Sequence, residues 1–178
     1  MLYIIDGYNL MHALYPGEIT AKNLEEKRQR LIEYVVNFIG AGGGQAEIVF
    51  DSSSAGKETV RHIPGTRVSV RFATRRESAD IIIGKLVGEA LKKVGIAGGN
   101  EFVRIRVVSA DWEVQKGLLR ERVERIPPRH FIAEANNFEN RVANSPEKDR
   151  MRWKLEHKVD VETLRKLEEL RRGGNSDD

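Results

Sequence analysis

Short β-branched runs that stop on an acid decide what this chain can fold into. Leu2-Tyr-Ile-Ile5 runs into Asp6, Ile48-Val-Phe50 into Asp51, and Phe102 to Val108 into Ser109-Ala-Asp111. Apolar runs this short, without a helical period and rich in Ile and Val, read as buried strands. Between them lie stretches of helical period: Leu24, Leu31, Val35, Phe38 and Ile39 in one, and Ala79, Ile83, Leu86, Ala90 and Val94 in another. Such alternation predicts an α/β fold, three-layer α/β/α, around a mainly parallel five-stranded sheet. Ligands of these sheets bind where strands end at their carboxyl side, and that is where the acids fall.

Taken in order, Asn9 to Gly17 reads as a loop broken by Pro16-Gly17. Asn23-Leu-Glu-Glu26 has the form of a capping box and opens the first helix, which Gly40 stops. Ser52 to Gly65 reads as a long surface loop. Val68, Val70 and Phe72 alternate with Arg67, Ser69 and Arg71, the pattern of a third strand at a sheet edge. Thr74-Arg-Arg-Glu77 repeats the capping-box pattern ahead of a helix running to about Val94. Trp112 to about Arg122 suits a further helix, Val123 to Ile126 a fifth strand, and His130 to Ala135 a small last helix. These elements make a domain over residues 1–135. A charged, helical C-terminal extension covers 136–172, with Val161, Leu164, Leu167 and Leu170 as its thin apolar stripe, and 173–178 reads as a disordered tail.

With 178 residues the chain can bury a sizeable core. It has no cysteine, so disulfides and thiolate chemistry are excluded. No apolar run is long enough for a membrane span, and no basic-then-apolar stretch suggests a secretory signal, so a cytoplasmic protein is expected. The net charge of +3 permits a nucleic-acid partner without requiring one.

Clustered carboxylates point to hard divalent cations. Mg²⁺ or Mn²⁺ prefers oxygen ligands, and such an ion can acidify a water and offset charge on a leaving phosphate oxygen. Asp6, Asp51 and Asp111 follow strands, and Asp80 lies in the helix after the third. Asp80 sits past the first turn of a helix opened at Thr74, so neither capping nor the helix dipole explains it well, and an exposed ion pair with Arg76, worth about 0.3–0.5 kcal/mol, is the structural alternative. Glu77 has a complete account as the capping-box partner of Thr74, with a supporting role in the site as the other reading. Asn9 either orients a ligand or forms a turn, and Ser109 either bonds a carboxylate or is a small residue at a strand end. Lys57, Arg61, Arg71, Arg75 and Arg76 could track a phosphate backbone, and Tyr8, Phe72 and Trp112 could stack on bases. The four histidines lack metal-ligand spacing, and no P-loop or nucleophile elbow is present.

Together Asp6-Gly-Tyr-Asn9, Val49-Phe-Asp51, Glu77-Ser-Ala-Asp80 and Ser109-Ala-Asp111 resemble the NYN domain, a branch of the PIN-like nucleases. Asp111-Trp-Glu-Val-Gln115 and Val123-Glu-Arg-Ile-Pro127 make the chain most similar to the YacP group of small bacterial proteins, over roughly residues 1–135. The resemblance implies strand order 3-2-1-4-5 and metal-dependent endoribonuclease activity. For the YacP group it further implies cleavage of messenger RNA in association with the translating ribosome. By position, Asp6, Asp80 and Asp111 would be the metal-binding acids, Asn9 the motif asparagine, and Asp51 a further candidate ligand. A non-catalytic RNA- or ribosome-binding module on the same fold is the alternative. A phosphatase is a third class, but the Asp-x-Asp expected of one is absent, since position 8 is Tyr.

Overall fold

The structure, a computed structural model, describes residues 1–42, 44–51, 59–96, 104–110 and 123–143. Their order is β1 (Leu2–Asp6), α1 (Gly7–Leu14), α2 (Leu24–Gly42), β2 (Gln45–Phe50), β3 (Thr59–His62), β4 (Val68–Phe72), α3 (Ala79–Ile96), β5 (Ile105–Val108), β6 (Val123–Ile126) and α4 (Pro128–Ala143). One sheet runs β3-β4-β2-β1-β5-β6. Every pairing is parallel except β3 with β4.

The mainly parallel α/β architecture is as expected, and the five foreseen strands stand in the foreseen order. Two corrections concern the sheet and one the first connection. The surface loop read over Ser52 to Gly65 contains β3, so the sheet has six strands, and β4 lies inside it. β3 hides from a pattern reading because it buries almost nothing, Val60 being 40% exposed. Backbone pairing to β4 holds it, through a tight hairpin in which Gly65 takes φ +72°. The loop read from Asn9 contains most of α1. This helix begins on Gly7 and buries Leu10 and Met11 completely.

Because strand side chains alternate, the sheet builds two cores. Tyr3, Ile5, Ile48, Phe50, Val70 and Val108 face α1, α2 and α4, together with Leu31, Val35, Phe38 and Phe131. Ile4, Val49, Ile105 and Val107 face α3, meeting Ala79, Ile82, Ile83 and Val87. Tyr3, Phe38 and Phe131 pack edge to face with centroids 4.9–5.8 Å apart. Arg106 locks α4 to the sheet, bonding Glu134, Glu124 and the Tyr3 hydroxyl. Burial opposes its charge, and these partners more than restore it, so its pKa is raised. α4 extends well past the small helix expected at His130 to Ala135. The helix expected from Trp112, and the chain beyond Ala143, lie outside the described residues.

Candidate active site

Asp6 ends β1 and caps α1. Its Oδ1 accepts the backbone N–H of Asn9 at 2.9 Å, and its Oδ2 accepts from the Asn9 side-chain amide. This is ordinary N-cap chemistry, with one addition: the Asn9 side chain also reaches across to β5. Its carbonyl oxygen accepts the N–H of Ala110 at 3.3 Å. One asparagine therefore holds a buried carboxylate and ties the ends of β1 and β5 together. Gly7 is not needed for a turn, because it opens a helix without positive φ. Its lack of a side chain serves close packing instead, since a Cβ there would meet the Phe50 ring.

Asp51 follows β2 and reaches α3. Its Oδ1 accepts the N–H of Ala79, the first residue of that helix, at 2.7 Å. The expected helix start is thereby corrected. Thr74 to Glu77 is a turn, with Thr74 Oγ1 accepting the N–H groups of Arg76 and Glu77 at 3.3 Å, and α3 begins only at Ala79. Asp80 thus lies within the first turn, where the helix dipole does favour an acid. Glu77 pairs with Lys85 at 2.7 Å. The other box also bonds differently: Asn23 does precede α2, but its Oδ1 accepts from Thr20.

Asp6, Asp51 and Ser109 share the strand parity of Ile4, Val49 and Val107, which is the α3 side. Asp80 approaches from α3 itself. Electrostatics reports the gathering. Burial raises the Asp6 carboxyl above its ordinary value, the two Asn9 hydrogen bonds pull it back, and the charges of Asp80 and Asp51 push it up again. Among the described residues no lysine or arginine offsets it. Ser109 is 1% exposed beside this group, while Asp51 and Asp80 are open to solvent.

Hard oxygen donors repelling one another at a sheet edge are chemically suited to Mg²⁺ or Mn²⁺. The described residues hold no group of three His, Cys, Asp or Glu side chains placed to enclose an ion. Asp111, the third acid expected there, lies outside the described residues, as do Lys57 and Trp112. The donors present fit an ion held by a pair of carboxylates and otherwise by water, the usual habit of Mg²⁺.

The basic residues divide. Arg75 and Arg76 are exposed in the turn that leads into α3. Arg61 lies on β3, half-buried. Arg71 bonds Glu47 of β2 at 2.8 Å, so a structural partner already engages it. Tyr8 and Phe72 pack on Phe50, edge-on and stacked respectively. Sequence reasoning passed over Arg28, whose guanidinium lies over Phe50 and Phe72 at 5.3 and 5.4 Å. In the sequence it is one charge among many on α2, and only the tertiary approach of the two rings singles it out. No helix among the described residues is long and apolar enough to cross a membrane.

The comparisons with known proteins bear on the fold and the family. A single-substitution mutant of Rae1 (YacP) from Bacillus subtilis superimposes with TM-score 0.65 at 23% identity, over 94% of this chain and 99% of that one. Rae1 (YacP) itself, from the same organism, gives TM-score 0.62 at 26% identity, over 98% and 96%. No curated protein matches significantly. The family model described as the YacP-like NYN domain matches residues 3–172, extending beyond the span of 1–135 on which the motifs lie. The chain belongs to the YacP-like NYN domain family, whose fold is that of the PIN-like nucleases.

Proposed function

We propose that this protein is a metal-dependent endoribonuclease that cuts single-stranded RNA at the carboxyl edge of its sheet. Messenger RNA on the translating ribosome, in the cytoplasm, is the substrate this reading favours. One observation carries it: a buried Asp6 carboxylate, held among the described residues by neutral amide donors, in the field of Asp80 and Asp51. Asp6 and Asp80 would hold one or two Mg²⁺ or Mn²⁺ ions, with Asp111 as the further acid that the motif supplies. When bound, such an ion supplies Lewis acidity, acidifying a water and offsetting charge on the leaving oxygen.

The chain's own residues supply the order. Asn9 fixes the Asp6 carboxylate and couples it to the β5 end, so the two strands present their groups to one place. Asp51 anchors the first residue of α3 and so sets where Asp80 stands. Arg75 and Arg76, exposed just before that helix, offer cationic contacts to an approaching phosphate backbone. A single strand is favoured because a shallow edge site needs an accessible backbone. Cleavage by in-line attack of water would leave 5′-phosphate and 3′-hydroxyl ends.

The test incubates end-labelled RNA with the protein and Mn²⁺, beside EDTA and Asp80→Asn controls. Cleavage confined to the first lane supports the enzyme; equal cleavage in all three marks contamination and removes the assignment. The exposed Arg75 and Arg76 also serve a second reading, an RNA- or ribosome-binding module, which needs no ion to hold a phosphate backbone. Calorimetry separates the two. A Mn²⁺ signal abolished by Asp6→Asn belongs to the enzyme, whereas RNA binding with no Mn²⁺ signal belongs to the module.

A further inference from the structure

Arg28 is an expensive residue for a helix of this kind. Its side chain is 14% exposed and lies over the Phe50 and Phe72 rings, on the α1 and α2 side of the edge that carries Asp6 on its other side. Nη2 donates to the Tyr8 hydroxyl at 3.0 Å, and Nη1 pairs with Glu25. Nε is buried and makes no hydrogen bond. A buried donor left unmet costs stability, and an apolar residue could fill the same space without that loss. Folding alone therefore gives little reason for a guanidinium here.

Its surroundings suit an anion. Two aromatic faces and a hydroxyl fix the plane of the group, so little rotamer freedom remains to be lost on binding. Its one counter-charge among the described residues, Glu25, is 81% exposed and one turn away on the same helix, free to swing into solvent. Tyr8, which holds the guanidinium, is only two residues from Asp6 along the chain. A strand of RNA crossing the sheet edge at Asp6 would pass this position.

We propose that Arg28 is a substrate-positioning residue that takes a backbone phosphate of single-stranded RNA, Glu25 giving way as it binds. The proposal rests on the nuclease reading for its substrate class, and it concerns binding, which can be measured without cleavage. Arginine suits this role because its planar fork matches a phosphate, while a lysine would keep only the charge.

The experiment follows a labelled single-stranded RNA of about 12 nucleotides, a length within ordinary single-strand site sizes. Fluorescence anisotropy is read over a salt series in EDTA, and again in Ca²⁺, for the unaltered protein, Arg28→Gln, Arg28→Lys and Glu25→Gln. Inorganic phosphate is titrated as a competitor. The expected results are about tenfold weaker binding for Arg28→Gln, and a logarithmic salt slope shallower by about 0.7, the value for one phosphate contact on a single strand. Arg28→Lys should restore the slope with only part of the affinity, and Glu25→Gln, at an exposed position, should bind several-fold tighter.

A purely structural Arg28 would lower the melting temperature and leave the slope and the Glu25→Gln affinity unchanged, which overturns the proposal. So does inorganic phosphate binding at Arg28 while RNA affinity ignores it. Should the unaltered protein bind RNA through Arg28 but, with Mn²⁺, cut neither the free RNA nor messenger RNA on ribosomes, the nuclease reading falls and this one stands. Should it cut RNA with an affinity indifferent to position 28, the reverse holds. Failure to bind RNA in either condition removes both.

Discussion

Replacing Gly7 by alanine should harm this protein although alanine is the better helix former. A Cβ at this position would lie within 2.8 Å of three Phe50 ring carbons. Ordinary carbon contacts sit at about 3.5–4.0 Å, so something must move by about 1 Å. The ring has little freedom to yield. Phe50 is fully buried, stacked on Phe72 at 5.7 Å, met edge-on by Tyr8 at 5.4 Å, and covered by Arg28. Overpacking of this kind costs about 1–3 kcal/mol, against a helix-propensity gain of at most about 1 kcal/mol. The upper half of the cost applies, because the obstruction is a wedged ring rather than a flexible chain end. A net loss of about 2 kcal/mol corresponds to a melting temperature lower by about 4–8 °C in a chain of this size.

Thermal unfolding of Gly7→Ala, Phe50→Leu and the double variant would check this. The double variant should be more stable than the sum of the single effects allows, by at least about 1 kcal/mol, as for residues in direct contact. The same collision pushes α1 off the sheet and separates Asn9 from Asp6, so RNA cleavage by Gly7→Ala should fall well beyond its loss of folded protein. A melting temperature equal to or above that of the unaltered chain would refute the close-packing argument. Strict additivity in the double variant would do the same.

Asp6 makes a pH prediction. Its folded carboxyl is raised by burial, so the stability it contributes is full below the ordinary Asp range and is lost as pH rises through the raised folded value. An asparagine side chain cannot titrate, so the melting temperature of Asp6→Asn relative to the unaltered chain should climb with pH across that interval and then level; a flat difference contradicts the burial argument. Asn9→Ala removes the side-chain donor to Asp6 and the link to Ala110, and should lower single-turnover cleavage at least about tenfold while the far-ultraviolet spectrum stays unchanged. Asp51→Ala leaves the Ala79 N–H without its acceptor and should cost about 1–2 kcal/mol in chemical denaturation. Asp51→Asn, which can still accept, should regain most of that loss, whereas a direct metal ligand would show Mn²⁺ affinity lost in both variants. Arg106→Ala should cost about 2 kcal/mol, kept modest by the exposure of its two glutamate partners.

Much of the sheet was legible because its strands are buried on both sides. β1, β2 and β5 read as continuous apolar runs, whereas their order came from the resemblance to the NYN domain and not from any pattern in the residues. β3 was not legible, since one exposed valine is no signal and its reason for existing is a pairing with β4. The start of α3 failed more instructively. Thr74 offers its hydroxyl to the next N–H groups in a turn just as it would in a helix cap, so local chemistry could not tell the two apart. The decision lies in the bond from Asp51 to Ala79, between residues 28 apart. The same long-range bond moved Asp80 into a first turn and gave it an ordinary dipole explanation, so its position on α3 no longer argues for function by itself.

What still argues for function is a mismatch between the acids and the cations of the same edge. Arg71 is engaged by Glu47, and Arg28 is turned to the opposite face and held by Tyr8 and two rings. Neither offsets Asp6, although a fold selected for stability alone would gain by letting one do so. Asp6 is instead restrained by amide dipoles from a single asparagine, which orient the carboxylate without neutralising it. A carboxylate held still, desolvated and, among the described residues, left with its charge unmet differs from a capping aspartate in its appetite for a cation from solution. The opening motif therefore owes its meaning less to its own four residues than to where the sheet keeps its arginines.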